Sequence, residues 1–176
     1  MNEFVLLEYL GSSCHGEIIE VLKGNMKKSK KPIYLDVCVL SRPFDDQSFL
    51  RIRLETEAVN LILSKIRNEE YELVVSPIHW EEIEAISDIF ERIELQERLK
   101  SLGKSISTDL ESARKRAEEL CGLNFGVADA AHIAFAEQCG AEFISCDDSL
   151  VKRCSRHNIK IWCGNPVAFC EKEELR

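Results

Sequence analysis

The apolar positions of this chain follow two different periods in turn. Residues Ile33 to Val39 are apolar everywhere except Asp36, the pattern of a strand covered on both faces. From about Gln47 to Arg67, Leu54, Ala58, Leu61, Ile62 and Ile66 fall at helical spacing, which predicts a long helix. Glu72 to Val75 makes a second strand, and Ser76-Pro77 then supplies a helix N-cap with proline at the first helical position. Two charged helical segments follow, roughly 78–102 and 108–123, and a break from Gly122 to Gly126 separates them from a helix over 127–139. A third strand over 141–146, a short helix over 150–157, a fourth strand over 160–163 and a terminal helix opened by Asn165-Pro166 complete the order. Strands alternating with helices predict an α/β fold, three layers α/β/α around a mainly parallel central sheet of four to five strands.

Residues 1–25 stand outside this order. A short helix is expected over Gly16 to Lys23, closed by Gly24-Asn25, and a lysine-rich stretch leads from Met26 into the first strand. The organisation expected is an N-terminal extension over 1–25 and one domain over 26–176, with Met26 as an alternative start. With 176 residues and 45% hydrophobic content, the chain has material for one substantial core. Its eight cysteines include no C-x-x-C pair and lie mostly in apolar stretches, which suits packed, reduced thiols rather than a disulfide framework or a zinc knuckle. The opening Met1-Asn2-Glu3-Phe4-Val5-Leu6-Leu7-Glu8 has no basic n-region, and no stretch nears the roughly 20 apolar residues that span a bilayer. A cytoplasmic protein with no membrane contact is expected.

The 23 basic and 31 acidic residues leave a net charge of -8, which argues against broad electrostatic capture of nucleic acid. A nucleic-acid substrate held at a metal ion remains compatible, because the ion inverts the local field. Arg42, Lys152 and Arg153 are candidate phosphate contacts, although a solvated surface role is the commoner use of such residues.

The acids are placed unusually. Asp36 interrupts the first strand, and Asp129 sits inside Phe125-Gly126-Val127-Ala128-Asp129-Ala130-Ala131-His132-Ile133. A carboxylate buried without a partner is costly, so it either takes up a proton or is held by a cation. Glu82 and Asp147 also lie at the ends of apolar segments. In an open parallel sheet, ligands bind beyond the carboxyl ends of the strands. Asp36 and Asp147 lie near the carboxyl ends of the first and third predicted strands, and Glu82 and Asp129 lie in helices that start beside strand ends. Glu82 shares a helical stripe with Ile78, Ala85, Ile86 and Ile89, whereas Glu81 lies beside Pro77 and Glu84, so Glu82 is the inward candidate and Glu81 its competitor. Each acid has an ordinary explanation: a turn residue for Asp36 or Asp147, a helix N-terminus for Asp129, a solvated face for Glu82. Capping does not explain why all four gather at one end of the sheet, and a divalent metal site does. His132 follows Asp129 by three residues, but a histidine in an apolar helix is more often packed and hydrogen-bonded than catalytic, and His79 has no better claim.

Four pieces in order carry a resemblance: Ile33-Tyr34-Leu35-Asp36, then Ser76-Pro77-Ile78-His79-Trp80-Glu81-Glu82-Ile83, then Val127-Ala128-Asp129-Ala130-Ala131-His132-Ile133-Ala134, then Phe143-Ile144-Ser145-Cys146-Asp147-Asp148-Ser149-Leu150. Over about residues 32–170 this set resembles the PIN-domain nucleases. The resemblance implies that Asp36, Glu82, Asp129 and Asp147 form an acidic metal-binding, catalytic centre, with Ser145 as a nearby hydroxyl and Asp148 reaching the metal through water. It implies Mg²⁺ or Mn²⁺ and hydrolysis of RNA phosphodiesters. Small stand-alone members look like the toxin half of a bacterial type II toxin–antitoxin pair, which implies an antitoxin partner; a homodimer is a further expectation. The donor types agree with the ions, since hard divalent cations prefer carboxylate and water oxygens.

Two other classes compete. The same fold without cleavage would be a catalytically silent RNA-binding or protein-interaction module, and metal-dependent cleavage of RNA separates it from the enzyme. Phosphate-transfer chemistry on a similar sheet would need a second Asp where Cys38 stands, or an acidic pair at the first strand end with a late lysine, and neither is evident. No Walker loop or G-x-G-x-x-G supports a nucleotide cofactor.

Overall fold

The computed structural model describes residues 30–105 and 109–176. The extension over 1–25, the helix expected at Gly16–Lys23 and the alternative start at Met26 lie outside the described residues. In chain order the elements are β1 (Lys31–Leu35), α1 (Val37–Ser41), a 3-10 turn (Arg42–Phe44), α2 (Leu50–Arg67), β2 (Tyr71–Val75), α3 (Pro77–Glu84), α4 (Ile89–Leu102) and β3 (Gly103–Ser105). Then come α5 (Leu110–Cys121), α6 (Val127–Gln138), β4 (Glu142–Ile144), α7 (Asp148–Arg156), β5 (Cys163–Gly164) and α8 (Pro166–Lys172).

The strands form one all-parallel sheet in the order β3-β2-β1-β4-β5. Ile33 lies opposite Leu73 on one side and Glu142 on the other, and Leu35 lies opposite Ile144. Because alternate side chains leave opposite faces, the sheet sorts its apolar residues into two cores. Ile33, Leu35, Leu73, Val75 and Ile144 pack with Val59, Ile62 and Leu63 of α2, Leu95 and Leu99 of α4, and Phe169 of α8. On the other face, Tyr34, Val74 and Phe143 meet Leu120 of α5, Ala130 and Ile133 of α6, and Leu150 of α7. Each fully buried Leu, Ile or Phe contributes roughly 1.5–3 kcal/mol, so these two layers hold the helices to the sheet. The expected three-layer α/β/α fold is the one observed.

From β1 the chain crosses to β2 on one side, and it later returns to β4 on the other. Beyond the carboxyl ends of β1 and β4 there is therefore a topological switch point, the place where such sheets bind ligands. Residues 36 and 145–148 follow directly from those two strands.

Several boundaries differ from the periodic pattern. The first strand stops at Leu35 rather than Val39. The Asp36 carbonyl accepts the N–H groups of Val39 at 2.9 Å and Leu40 at 3.3 Å, which turns the run into α1. Val37, Val39 and Leu40 are buried there, and an apolar run reads alike as buried strand or buried helix. The expected helix over 78–102 is two helices. Asp88 caps α4 by accepting from Phe90 N–H at 2.8 Å and Glu91 N–H at 3.0 Å, and this restart breaks the run. β3 is an edge strand of three residues with no hydrophobic period to reveal it. β5 occupies 163–164 instead of 160–163.

Candidate metal centre

Asp36 is the first residue past β1, and its N–H extends the ladder to the Ile144 carbonyl at 2.9 Å. Its buried side chain caps no helix N–H, which removes the turn-capping explanation. Instead Oδ2 accepts the Ser145 hydroxyl at 2.7 Å and the Cys38 thiol at 3.1 Å. Ser145 Oγ in turn accepts the Asp147 N–H at 3.1 Å, and Cys38 Sγ the Cys146 N–H at 3.3 Å, so the turn after β4 fixes the carboxylate. The neighbouring Cys146 thiol and burial push the Cys38 thiol well above its ordinary range, which keeps it a donor. Oδ1 is left toward His132 Nε2, 4.0 Å away.

The helix that Ser76-Pro77 opens carries Glu82 inward, half-buried, while Glu81 is exposed to solvent. Glu82 Oε2 lies 2.9 Å from His132 Nε2. That contact holds the Glu82 carboxyl below its ordinary pKa against the opposing effect of burial. Asp36, Glu82 and His132 each offer an atom within 4.8 Å of the others. Behind them, the Tyr34 hydroxyl lies 2.7 Å from His132 Nδ1 and 2.6 Å from Ser76 Oγ. Burial drives the Tyr34 pKa well above 10, so it stays a phenol.

Asp129 stands in the first turn of α6, half-buried. Burial raises its pKa first, and the negative charges of Asp36 and Asp147 raise it further against the opposing pull of His132 and Arg153. Asp129 thus feels the other acids without joining the 4.8 Å group. Asp147 is exposed, and its Oδ1 caps α7 by accepting Ser149 N–H at 2.7 Å and Leu150 N–H at 3.2 Å. Asp148 is drawn to Arg51, which donates to both of its oxygens at 2.7 Å. Arg51 also donates to Oε1 of the buried Glu55 at 2.8 Å. Arg42 Nε sits 2.9 Å from Glu55 Oε2 off the hydrogen-bond direction, an ion pair rather than an aligned bond, and Arg42 Nη1 donates to Asp45 at 2.7 Å. Arg42 is therefore already engaged with carboxylates. The Arg153 guanidinium lies over the Phe125 ring at 5.5 Å.

The helix pattern assigned His132 to packing, and it is indeed buried. Its contact with Glu82, fifty residues earlier, makes it part of the cluster, and the available signal was its position three residues after Asp129. The seven described cysteines are all free thiols.

The family model for the PIN domain matches residues 33–155, well over half of the chain. The chain belongs to the PIN-domain family. Among solved structures, FitAcB from Neisseria gonorrhoeae is 17% identical with a TM-score of 0.47, covering 76% of this chain and 97% of that one. PAE2754 from Pyrobaculum aerophilum is 16% identical with a TM-score of 0.46, covering 82% and 88% respectively. A search of the curated proteins finds no match.

PIN domains are generally nucleases and usually use divalent metals. The centre of this PIN domain suits such an ion on its own chemistry. Asp36 is buried with one oxygen turned to the cluster, and the carboxyl of Asp129 is destabilised as an anion by burial and then by its acidic neighbours. A cation relieves that like-charge condition, and the carboxylate donors favour a hard one. Among the described residues, no helix is long and apolar enough to cross a membrane.

Proposed function

We propose that this PIN domain is a Mg²⁺- or Mn²⁺-dependent endoribonuclease whose ion is held by Asp36, Glu82, Asp129 and Asp147. The observation that carries the reading is the meeting of Asp36 and Glu82 at the switch point, from elements remote in sequence, beside an Asp129 whose charge is disfavoured by burial, by Asp36 and by Asp147. When bound, the ion would acidify a water and stabilise charge on phosphate oxygens. The residues of the chain do the rest. Ser145 and Cys38 hold Asp36 at a set orientation, His132 holds Glu82, and Arg153, close enough to temper Asp129, would meet a phosphate. RNA as substrate and a cytoplasmic site of action follow the family. Asp148, drawn to Arg51, would contribute through water.

The test is cleavage of a mixed RNA pool by the purified full chain with Mn²⁺, with Mg²⁺ and with excess EDTA. Cleavage is expected with either ion and lost with chelator. Asp36→Asn and Asp129→Asn should each lower the rate on the order of 100-fold or more, because the ion supplies several kcal/mol of transition-state stabilisation. RNA binding without cleavage in Mn²⁺ would overturn the enzyme reading in favour of the silent module.

The partner in this reading is an antitoxin of a type II pair, with a homodimer as the other arrangement. What supports a protein interface is the exposure of Ile89, Phe90 and Ile93 on α4 and of Phe49, Leu50 and Leu54 at the start of α2. Affinity purification from the native host and a light-scattering mass check these two arrangements. A monomer that brings down no small protein would count against both.

A further inference from the structure

Behind His132 runs a set of buried polar side chains that cleavage itself does not call for: Tyr34, Ser76 and His79. With His132 neutral, the hydrogens of these four groups have only one good arrangement. The backbone N–H of Ser76 can only donate, and it lies 3.1 Å from His79 Nδ1, so Nδ1 is a bare lone pair. His79 therefore carries its proton on Nε2 and donates to the Leu35 carbonyl at 2.9 Å. With that lone pair taken, the Ser76 hydroxyl, 3.2 Å from Nδ1, is better placed to donate to the Tyr34 oxygen at 2.6 Å. Tyr34 then donates to His132 Nδ1 at 2.7 Å, and His132 Nε2–H donates to Glu82 Oε2 at 2.9 Å. The reverse order for a neutral His132 would crowd two donors onto one lone pair. It would also set a bare Nε2 against a carboxylate.

We propose that Tyr34, Ser76 and His79 are positioning residues for Glu82. Anchored on the Ser76 N–H and the Leu35 carbonyl, they fix His132 as its Nε2–H tautomer, which pins Glu82 Oε2 and leaves the second carboxylate oxygen for the cation. One end of the relay lies at Leu35, next to Asp36, and the other at Glu82, so two candidate ligands are tied through the core. On this assignment His132 donates to a ligand and is not itself a ligand. The assignment rests on the metal reading above.

The test uses the full chain, with Mn²⁺ alone as the probe. In the metal-free protein, long-range ¹⁵N–¹H spectra should show His132 protonated at Nε2; a proton at Nδ1 overturns the relay. Tyr34→Phe, with its fold checked by circular dichroism, should weaken Mn²⁺ binding by about 10-fold in calorimetry, the low end of the effect of losing a group that orients a metal ligand, because Tyr34 acts on Glu82 through His132. Wild-type affinity in that variant overturns the proposal. With Mn²⁺ bound to the wild type, spin-echo spectra should show no directly coordinated nitrogen, and a coordinated imidazole would likewise refute it. If Tyr34→Phe does not fold, the wild-type tautomer and nitrogen spectra still decide. A wild-type chain that takes up no Mn²⁺ overturns the nuclease reading instead, and the metal-free tautomer then judges the relay separately.

Discussion

His79 shows what burial does to a single titratable group. Burial first, and then the nearby His132, lower its pKa to about 3. The folded chain therefore keeps His79 neutral at pH values where the unfolded chain, with the ordinary value of 6.5, takes up a proton. Stability attributable to this residue is complete above pH 6.5 and declines as pH falls through the window from 6.5 to 3. The slope there approaches about 1.4 kcal/mol per pH unit, the value for one proton. Urea unfolding between pH 5 and 7.5 checks this: His79→Gln, less stable overall, should have a pH slope shallower by one proton, and equal slopes would contradict it. At this scale part of the site was legible. The stripe of Glu82 with Ile78 and Ile86 turned it inward and left Glu81 to solvent, as helix phase requires. The capture of Asp148 by Arg51 was not legible, because the two are 97 positions apart and no local pattern joins them.

Elements succeed or fail on how much local signal they carry. The Ser76-Pro77 start of α3 was readable because capping chemistry is local. One detail was not: the third residue of the helix is His79, whose ring accepts the Ser76 N–H in place of the more usual Glu or Gln. β3 escaped notice because its three residues are an edge strand whose place is dictated by β2, with Leu73 opposite Gly103. Gly103 is needed there for space. A Cβ at that position would run into Val75 Cγ2 and the backbone carbonyl of Leu99. Gly103→Ala is accordingly expected to destabilise the fold by about 1–3 kcal/mol, the range for overpacking, read as a lower urea midpoint with unchanged slope. An unaltered midpoint would mean that this edge gives way freely.

Across the whole molecule, the end of the chain is fastened to the start of the domain by charge. Glu173 accepts from Lys31 at 2.6 Å and from the Tyr71 hydroxyl at 3.1 Å, while Lys172 and Lys31 also reach Glu142 at 2.8 and 2.9 Å. Burial acts to raise the Glu173 pKa, but the bonds from Lys172, Lys31 and Tyr71 outweigh it and lower the pKa to about 2. The sign follows: this carboxylate stabilises the fold above its unfolded value of 4.5, and that contribution disappears as pH falls from 4.5 toward 2. Unfolding curves of wild type and Glu173→Gln should differ at neutral pH and converge in acid, and a constant gap would refute the account.

The α/β order, the burial of the sheet on both faces and the suspicious position of Asp36 were present in the amino-acid sequence, because periodicity and the cost of an acid among apolar residues are local properties. Tertiary structure decided the rest. It ended β1 early to turn Asp36 toward the turn after β4, and it brought Glu82 to His132 from separate helices. It joined Asp148 to Arg51 and set one direction for the hydrogen bonds from the Ser76 hydroxyl to Glu82. Those outcomes depend on distances between segments far apart in the chain, which become definite only when the parallel crossovers around β1 close.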